Sequence, residues 1–93
     1  MGLSELTYKA VLSAIVEFDT KGKKDFLEEY GFHDSLHYFL VYKAHEYPSK
    51  AIAGVAHKYV KSGYKPLLAF EFNGGKNTVK KKLKSLGFDV LYR

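Results

Sequence analysis

Two segments carry residues suited to chemistry, and one of them is a glycine-rich turn that leads into a lysine-rich segment. Glycines before a helix let backbone N–H groups approach a phosphate closely, and lysine side chains supply point charges. The spacing from glycine to lysine is not that of a P-loop, so nucleoside triphosphate binding is not predicted. In this segment, phosphate contacts are predicted for Asn73, Gly74, Gly75, Lys76, Asn77, Thr78, Lys80, Lys81 and Lys84.

A second candidate site lies on the third predicted helix. Ser49 is predicted to cap this helix, and the free N–H groups of its first turn, together with Lys50, favour an anion. At 100° per residue, Lys50, Gly54, His57 and Lys61 share one stripe opposite the apolar face. Ser49, Lys50, His57 and Lys61 are therefore predicted to contact nucleic acid.

Gly54 is the least expected residue of that helix. Glycine inside a helix costs about 1 kcal/mol relative to alanine, so a close approach of another backbone should offset it. That backbone could belong to a nucleic acid or to a neighbouring strand of the same fold, and the sequence leaves both explanations open.

No arrangement of residues predicts catalysis. The chain has four histidines and no cysteine, and the histidines lack the pairing with a glutamate that marks a metalloprotease helix. The carboxylates alternate with lysines in the first two predicted helices, as on solvated surfaces. We therefore predict no enzyme activity in this chain, no metal, no cofactor and no small-molecule substrate.

Periodic apolar residues predict four helices, and runs of aromatic and β-branched residues predict short strands. Gly31 and Gly87 are predicted helix ends, each followed by a phenylalanine that packs back on the helix. The predicted helices span residues 3–18, 23–30, 49–61 and 76–86. Extended segments are predicted at residues 37–43, 46–47, 67–72 and 88–92, with the first of them central and a turn at residues 44–46.

These elements predict one α+β domain over residues 1–93, in which about four helices pack on a small, mainly antiparallel sheet with a hairpin near residues 38–47. A winged-helix-like arrangement is the alternative. With 46% hydrophobic residues, the chain can build a core. The lack of cysteine, signal peptide and long apolar run predicts a cytoplasmic protein with no membrane partner.

The net charge of +5 is distributed unevenly along the chain. Residues 1–48 contain five lysines and eight acids, a net charge of −3. Residues 49–93 contain nine lysines and one arginine against Glu71 and Asp89, a net charge of +8. If the two halves are also separate in space, one side of the molecule will attract a polyanion.

The order of several short motifs resembles the N-terminal head domain of McrA-like, modification-dependent HNH restriction endonucleases. The chain departs from that family at Asn73, where the family more often has serine, and at Ala44-His45-Glu46, where the family has a glycine-containing turn. No HNH motif is present, so nuclease activity would lie in another domain. The motifs are Glu17-Phe18-Asp19 with Gly22, Phe26-Leu27, Tyr30-Gly31-Phe32, Tyr38 to Val41, Tyr47-Pro48-Ser49-Lys50-Ala51-Ile52, Gly54-Val55-Ala56-His57, Phe72-Asn73-Gly74-Gly75, Thr78-Val79, Leu83, Leu86-Gly87-Phe88 and Val90.

The resemblance implies a DNA-associated accessory module of a restriction system, and the basic second half predicts binding to DNA phosphates, with modified DNA as one option. The alternative is a protein-interaction module, such as a small phage-type inhibitor or adaptor that docks on a nuclease or CRISPR effector. DNA binding through phosphates should weaken steeply with salt, whereas a dry protein interface need not.

Overall fold

The fold begins with two consecutive helices separated by a single glycine. In the computed structural model, which describes residues 2–35, 37–73 and 75–93, helix α1 spans Tyr8–Lys21 and helix α2 spans Lys23–Tyr30. The Thr7 hydroxyl accepts a hydrogen bond from the Ala10 N–H at 3.1 Å and so caps α1. The predicted start at residue 3 was wrong, because Leu3–Glu5 form a separate 3₁₀ turn.

Both helices end at glycines in conformations that favour this residue. The predicted end of α1 at residue 18 was one turn too early, since the helix continues to Gly22, whose φ is 87°. Helix α2 ends as predicted at Gly31, with φ 72°, and the Phe32 N–H donates to the Leu27 carbonyl at 3.0 Å. Phe32 is buried in the core, where its ring packs edge-on against that of Phe72.

A three-stranded antiparallel sheet follows in the order β2–β1–β3. Strands β1 (Tyr38–Tyr42), β2 (His45–Pro48) and β3 (Asp89–Tyr92) place Leu40 of the central strand opposite Tyr47 and Val90. This confirms the α+β prediction and the central position of the first strand.

The hairpin between β1 and β2 turns earlier than the sequence predicted. Its two loop residues are Lys43 and Ala44, with φ of 49° and 65°, while His45 and Glu46 already pair with β1. Positive φ at both loop positions is typical of a type I′ turn, which matches the twist of the flanking strands.

Helix α3 lies at the centre of the molecule. It spans Ser49–Ala56, and every residue except Lys50 is buried. The predicted extension to residue 61 was wrong, because a 3₁₀ turn at His57–Tyr59 follows. The predicted cap was also wrong: Pro48 occupies the cap position, and the buried Ser49 hydroxyl has no hydrogen-bond partner among the described residues.

The segment predicted to be extended at residues 67–72 does not join the sheet. The Leu67 N–H donates to the Gly54 carbonyl at 2.9 Å, which holds the segment against α3. A 3₁₀ turn at Ala69–Glu71 follows.

The last helical segment starts with a π-helical turn, Lys76–Lys80, which continues into α4, Lys81–Ser85. Val79 and Leu83 are buried against the core. The segment ends as predicted at Gly87, where the Phe88 N–H donates to the Leu83 carbonyl at 3.1 Å. Along the described residues, no helix combines the length and the apolar character that crossing a bilayer requires.

Candidate nucleic-acid interface

The start of α3 and the glycine-rich turn meet at one groove, although they are 25 residues apart in sequence. Lys50 and Gly75 both line this groove, which has a volume of about 370 Å³. We call it the Lys50 groove. Its other lining residues come from the segment before β1, from β1 itself and from the 3₁₀ turn, and they are Phe32, His33, Asp34, Ser35, His37, Tyr38 and Ala69.

Two ammonium groups at the groove are positioned by aromatic rings. Lys50 Nζ lies 5.1 Å from the ring centroid of Phe72, and Lys80 Nζ lies 6.0 Å from that of Tyr38. Cation–π contacts of this kind contribute about 0.5–1 kcal/mol at exposed sites. They restrain both charges next to the groove and leave them available to an anion.

The polar residues of the glycine-rich turn mainly hold the turn together. The Gly75 N–H donates to Asn73 Oδ1 at 2.9 Å. The Thr78 hydroxyl lies within hydrogen-bond distance of the Asn73 carbonyl and, at 3.2 Å, of the Gly75 carbonyl. Asn73 and Thr78, predicted as ligand contacts, therefore shape the backbone that would meet the ligand. Gly74 lies outside the described residues.

The lysines of the last helical segment have no acidic partner within the part of the chain that the structure describes. The ion pairs formed among the described residues involve Lys21, Lys23, Lys58, Arg93 and His57, and none of the five lysines between residues 76 and 84. Lys76, Lys81 and Lys84 are exposed. Their charges are therefore not neutralised by an ion pair with a described residue.

These lysines do not all face the Lys50 groove. Lys80 borders it through Tyr38, whereas Lys81 and Lys82 line a second hollow of about 380 Å³ together with Asn77 and Thr78. Lys82 Nζ also donates to the Ser4 carbonyl at 3.2 Å. The predicted cationic surface is therefore divided between the Lys50 groove and this second hollow.

His57 lies inside the molecule, so the predicted exposed stripe on the third helix was wrong. Its ring is 6% exposed, with Nδ1 2.6 Å from the Lys65 carbonyl and Nε2 3.2 Å from Glu5 Oε1. The ring also stacks on Tyr64, at 5.0 Å between centroids. Lys61 is exposed on the following loop and does not line the Lys50 groove.

This histidine ties the N-terminal turn to the loop after α3. The Glu5 carboxylate accepts hydrogen bonds from His57, from the Tyr64 hydroxyl at 2.8 Å and from the Gly2 N–H at 2.8 Å. These hydrogen bonds, that of His57 foremost, lower the pKa of Glu5 to about 2. The site is a structural clamp whose polar groups are already paired.

Gly54 is explained by packing within the fold. A Cβ atom at this position would lie 2.5 Å from Phe32 Cζ and 3.1 Å from the Leu67 carbonyl oxygen. The alternative that a neighbouring segment approaches α3 is therefore confirmed, although that segment is not a strand. Because most residues of α3 are small, neighbouring segments pack on several sides of the helix. The stripe of Lys50, Gly54, His57 and Lys61 predicted from the helical period therefore does not face solvent along its whole length.

A buried carboxylate, Glu17, organises a network that the sequence analysis missed. It accepts hydrogen bonds from four side chains: Lys21 at 2.5 Å, Tyr59 at 2.5 Å, Lys58 at 3.0 Å, and Tyr30. Burial alone would raise the pKa of Glu17, but these donors outweigh it and lower the pKa to about 2. Glu17 is three residues after buried Ala14 on α1. Residues at this spacing share a helix face, which was the signal in the sequence that Glu17 is directed at the core.

The Glu17 network is unsuited to acid–base chemistry. A carboxylate with four donors and so low a pKa is a weak base at neutral pH. Within the described ranges, no group of three or more His, Cys, Asp or Glu side chains is placed to hold a metal ion.

Comparisons with known proteins show the family to which the chain belongs. Comparison with curated protein sequences finds no significant match. A solved structure described as the Type IV phosphorothioation-dependent restriction endonuclease ScoMcrA superposes with a TM-score of 0.70 at 30% identity. The match covers 96% of this chain and 13% of that endonuclease. The family model for the ScoMcrA-like N-terminal head domain matches residues 4–92. The resemblance drawn from the sequence motifs is confirmed, and the chain belongs to the ScoMcrA-like N-terminal head domain family.

Proposed function

We propose that this head domain is a DNA-binding accessory module of a modification-dependent restriction system. The observation that carries the proposal is a set of lysines for which no acidic partner is found among the described residues. Lys50 lines the groove, Lys80 lies beside the Tyr38 ring of that groove, and the other lysines of the last helical segment follow. A surface of uncompensated cations favours a polyanion, because binding releases the counterions condensed on the phosphates.

The structure changes the set of residues proposed to contact DNA. Ser49 and His57 are buried, and Asn73 and Thr78 serve the turn, so their side chains are left out of the proposed contacts. Lys61 lies on a different loop and is a secondary candidate. The proposed phosphate contacts are Lys50, Lys76, Lys80, Lys81 and Lys84, with Asn77 beside them. The Gly75 N–H is left out because it already donates to Asn73 Oδ1. Phosphate contacts set affinity and register and do not read the base sequence.

Salt dependence provides the first test. Five phosphate contacts predict that log K falls against log salt concentration with a slope of about −4.5. The measurement is fluorescence anisotropy of a labelled 20-base-pair duplex titrated with the chain between 50 and 200 mM salt. Because the related endonuclease is described as phosphorothioation-dependent, plain and phosphorothioated duplexes are compared. A salt-independent affinity would contradict phosphate binding.

Matched charge reversals provide the second test. Lys81→Glu with Lys84→Glu removes two exposed cations of the proposed surface, and Lys9→Glu with Lys24→Glu removes two exposed cations of the acidic half. Each pair lowers the net charge by the same amount. We expect the first pair to lower DNA affinity at least about tenfold and the second to have a much smaller effect. Equal losses of affinity in the two double variants would indicate a non-specific attraction by net charge. If the unchanged chain does not bind DNA at all, a protein partner is favoured.

A further inference from the structure

The ring of Phe70 is exposed although it is large and apolar. It is 86% exposed, at the middle of the 3₁₀ turn Ala69–Glu71. The turn is closed on itself: the Glu71 N–H donates to the Leu68 carbonyl at 2.9 Å, and the Leu68 N–H donates to Glu71 Oε1 at 2.6 Å. The carboxylate of Glu71 is thus directed at the turn's own backbone, and the ring is presented by an ordered loop.

This turn stands between two concave surfaces. Ala69 lines the Lys50 groove, whereas Leu68 and Glu71 line a groove of about 610 Å³ together with Tyr64 and Lys65. Phe70 follows Ala69 and precedes Glu71, so it lies between residues that line different grooves, and we call this turn the ridge. One lysine borders each groove, Lys50 on one side and Lys65 on the other, and neither forms an ion pair with a described residue.

We infer that Phe70 is a wedge that inserts between base pairs of a duplex held by the basic surface. The inference rests on the proposed DNA-binding function and adds the way in which the duplex is deformed. Apolar side chains that enter a base step partly unstack it and kink the DNA, which lets more protein surface meet the phosphates. With a lysine-bearing groove on each side of the ridge, phosphates can be neutralised while the ring enters the base stack.

Charge favours nucleic acid as the occupant of this ridge. Each groove also contains one carboxylate, but neither forms an ion pair with Lys50 or Lys65. Asp34 pairs with Lys23 at 2.5 Å, and Glu71 accepts from the Leu68 N–H at 2.6 Å. An apolar protein surface would also bury the ring, but it would then have to desolvate the ammonium groups of Lys50 and Lys65 and offer them no ion pair, which is unfavourable. A duplex offers apolar base faces next to phosphates, so the ring and both ammonium groups find matching partners at the same time.

The test compares a perfect 20-base-pair duplex with the same duplex carrying one central T·T mismatch flanked by 2-aminopurine. The energetic cost of unstacking is lowest at a mismatched step, so a wedge should prefer it. We expect the chain to bind the mismatched duplex about tenfold more tightly and to raise 2-aminopurine fluorescence. Phe70→Ala should abolish both effects, and Phe70→Trp should retain them.

The controls separate the wedge from the phosphate contacts. Val16 is an apolar side chain of α1, 63% exposed, and Val16→Ala should keep the preference for the mismatch. If Phe70→Ala binds both duplexes as the unchanged chain does, and still responds to salt, the wedge is overturned while the proposed DNA binding stands. If the unchanged chain binds neither duplex, both proposals are overturned. Phe70 lies outside the core, so we expect Phe70→Ala to fold and a change in its binding to reflect the missing ring.

Discussion

The lysines of the basic half lie in two different environments. Lys58, with Lys21 of α1, pairs with the buried carboxylate of Glu17, whereas Lys80 and its neighbours on the last helical segment have no acidic partner among the described residues. A cation paired with a buried carboxylate contributes to folding, and a cation paired with solvent ions remains available to a ligand. Net charge along the sequence therefore overstates the charge that can meet a polyanion.

Removing the carboxylate of the Glu17 network should have the largest effect on stability. Glu17→Gln leaves the Lys58 ammonium group without its counter-charge, whereas Lys21 keeps its pair with Glu29. The change also weakens four hydrogen bonds, so we expect the free energy of unfolding to fall by about 2 kcal/mol. For a domain of this size that lowers Tm by about 10 °C. Urea and thermal denaturation measure the change, with Glu28→Gln, an exposed carboxylate of α2, as the control. DNA affinity of the folded variant should be unchanged, and a selective loss of affinity would mean that the two environments are not separate.

Lowering the pH should remove much of the stabilisation that the Glu17 carboxylate provides. The pKa of Glu17 is lowered in the folded protein to about 2, so its contribution is complete above the carboxyl pKa of the unfolded chain and is lost as the pH falls through the folded value. Stability of the unchanged chain should therefore decrease between about pH 5 and pH 2. Glu17→Gln should show a shallower decrease in the same denaturation series. Parallel curves for the two proteins would show that Glu17 is not stabilised in the folded state.

Gly54→Ala tests whether α3 is a core helix or a ligand-facing one. Alanine favours the helix by about 1 kcal/mol, but its Cβ would overlap the ring of Phe32, and overpacking costs about 1–3 kcal/mol. We expect a net loss of stability of about 1 kcal/mol. The double variant with Phe32→Leu should recover part of it, because the nearest atom is then removed. If Gly54→Ala is as stable as the unchanged chain and loses DNA binding, the glycine serves a ligand.

Replacing one lysine by glutamine in each environment should have the smallest effects on affinity and stability. These two variants distinguish the two lysine environments most directly. Lys80→Gln should reduce the salt slope of DNA binding by about 1 and leave stability nearly unchanged. Lys58→Gln should leave the slope unchanged and lower stability, since it removes an ion pair from Glu17. Anisotropy titrations and thermal denaturation of both variants measure the contrast. If Lys58→Gln instead reduced the salt slope and Lys80→Gln lowered stability, the Glu17 network would be part of the DNA-binding surface.

Features that depend on near neighbours in the chain were predictable. Helix ends at Gly31 and Gly87, each with a phenylalanine packing back, follow from backbone sterics and one local hydrogen bond, and both are confirmed. The central position of β1 follows from its apolar run, and the order of short motifs was sufficient to indicate the family. The start of α1 and the end of α3 were wrong by more than one helical turn, because the Thr7 cap and the 3₁₀ turn at His57–Tyr59 set the boundaries instead.

Tertiary structure alone decided which polar residues are available. Whether His57 faces solvent depends on Glu5 and Lys65, of which Glu5 is 52 residues away in the chain. The meeting of Lys50 with Gly75, and the isolation of Phe70 on a ridge, likewise arise from packing between distant segments. The sequence by itself determined the helix ends at Gly31 and Gly87 and the central strand, because those choices depend on local backbone sterics and a local apolar run. The partner of each charge was decided by long-range packing, because a single helical face shows nothing of the segments that will cover it.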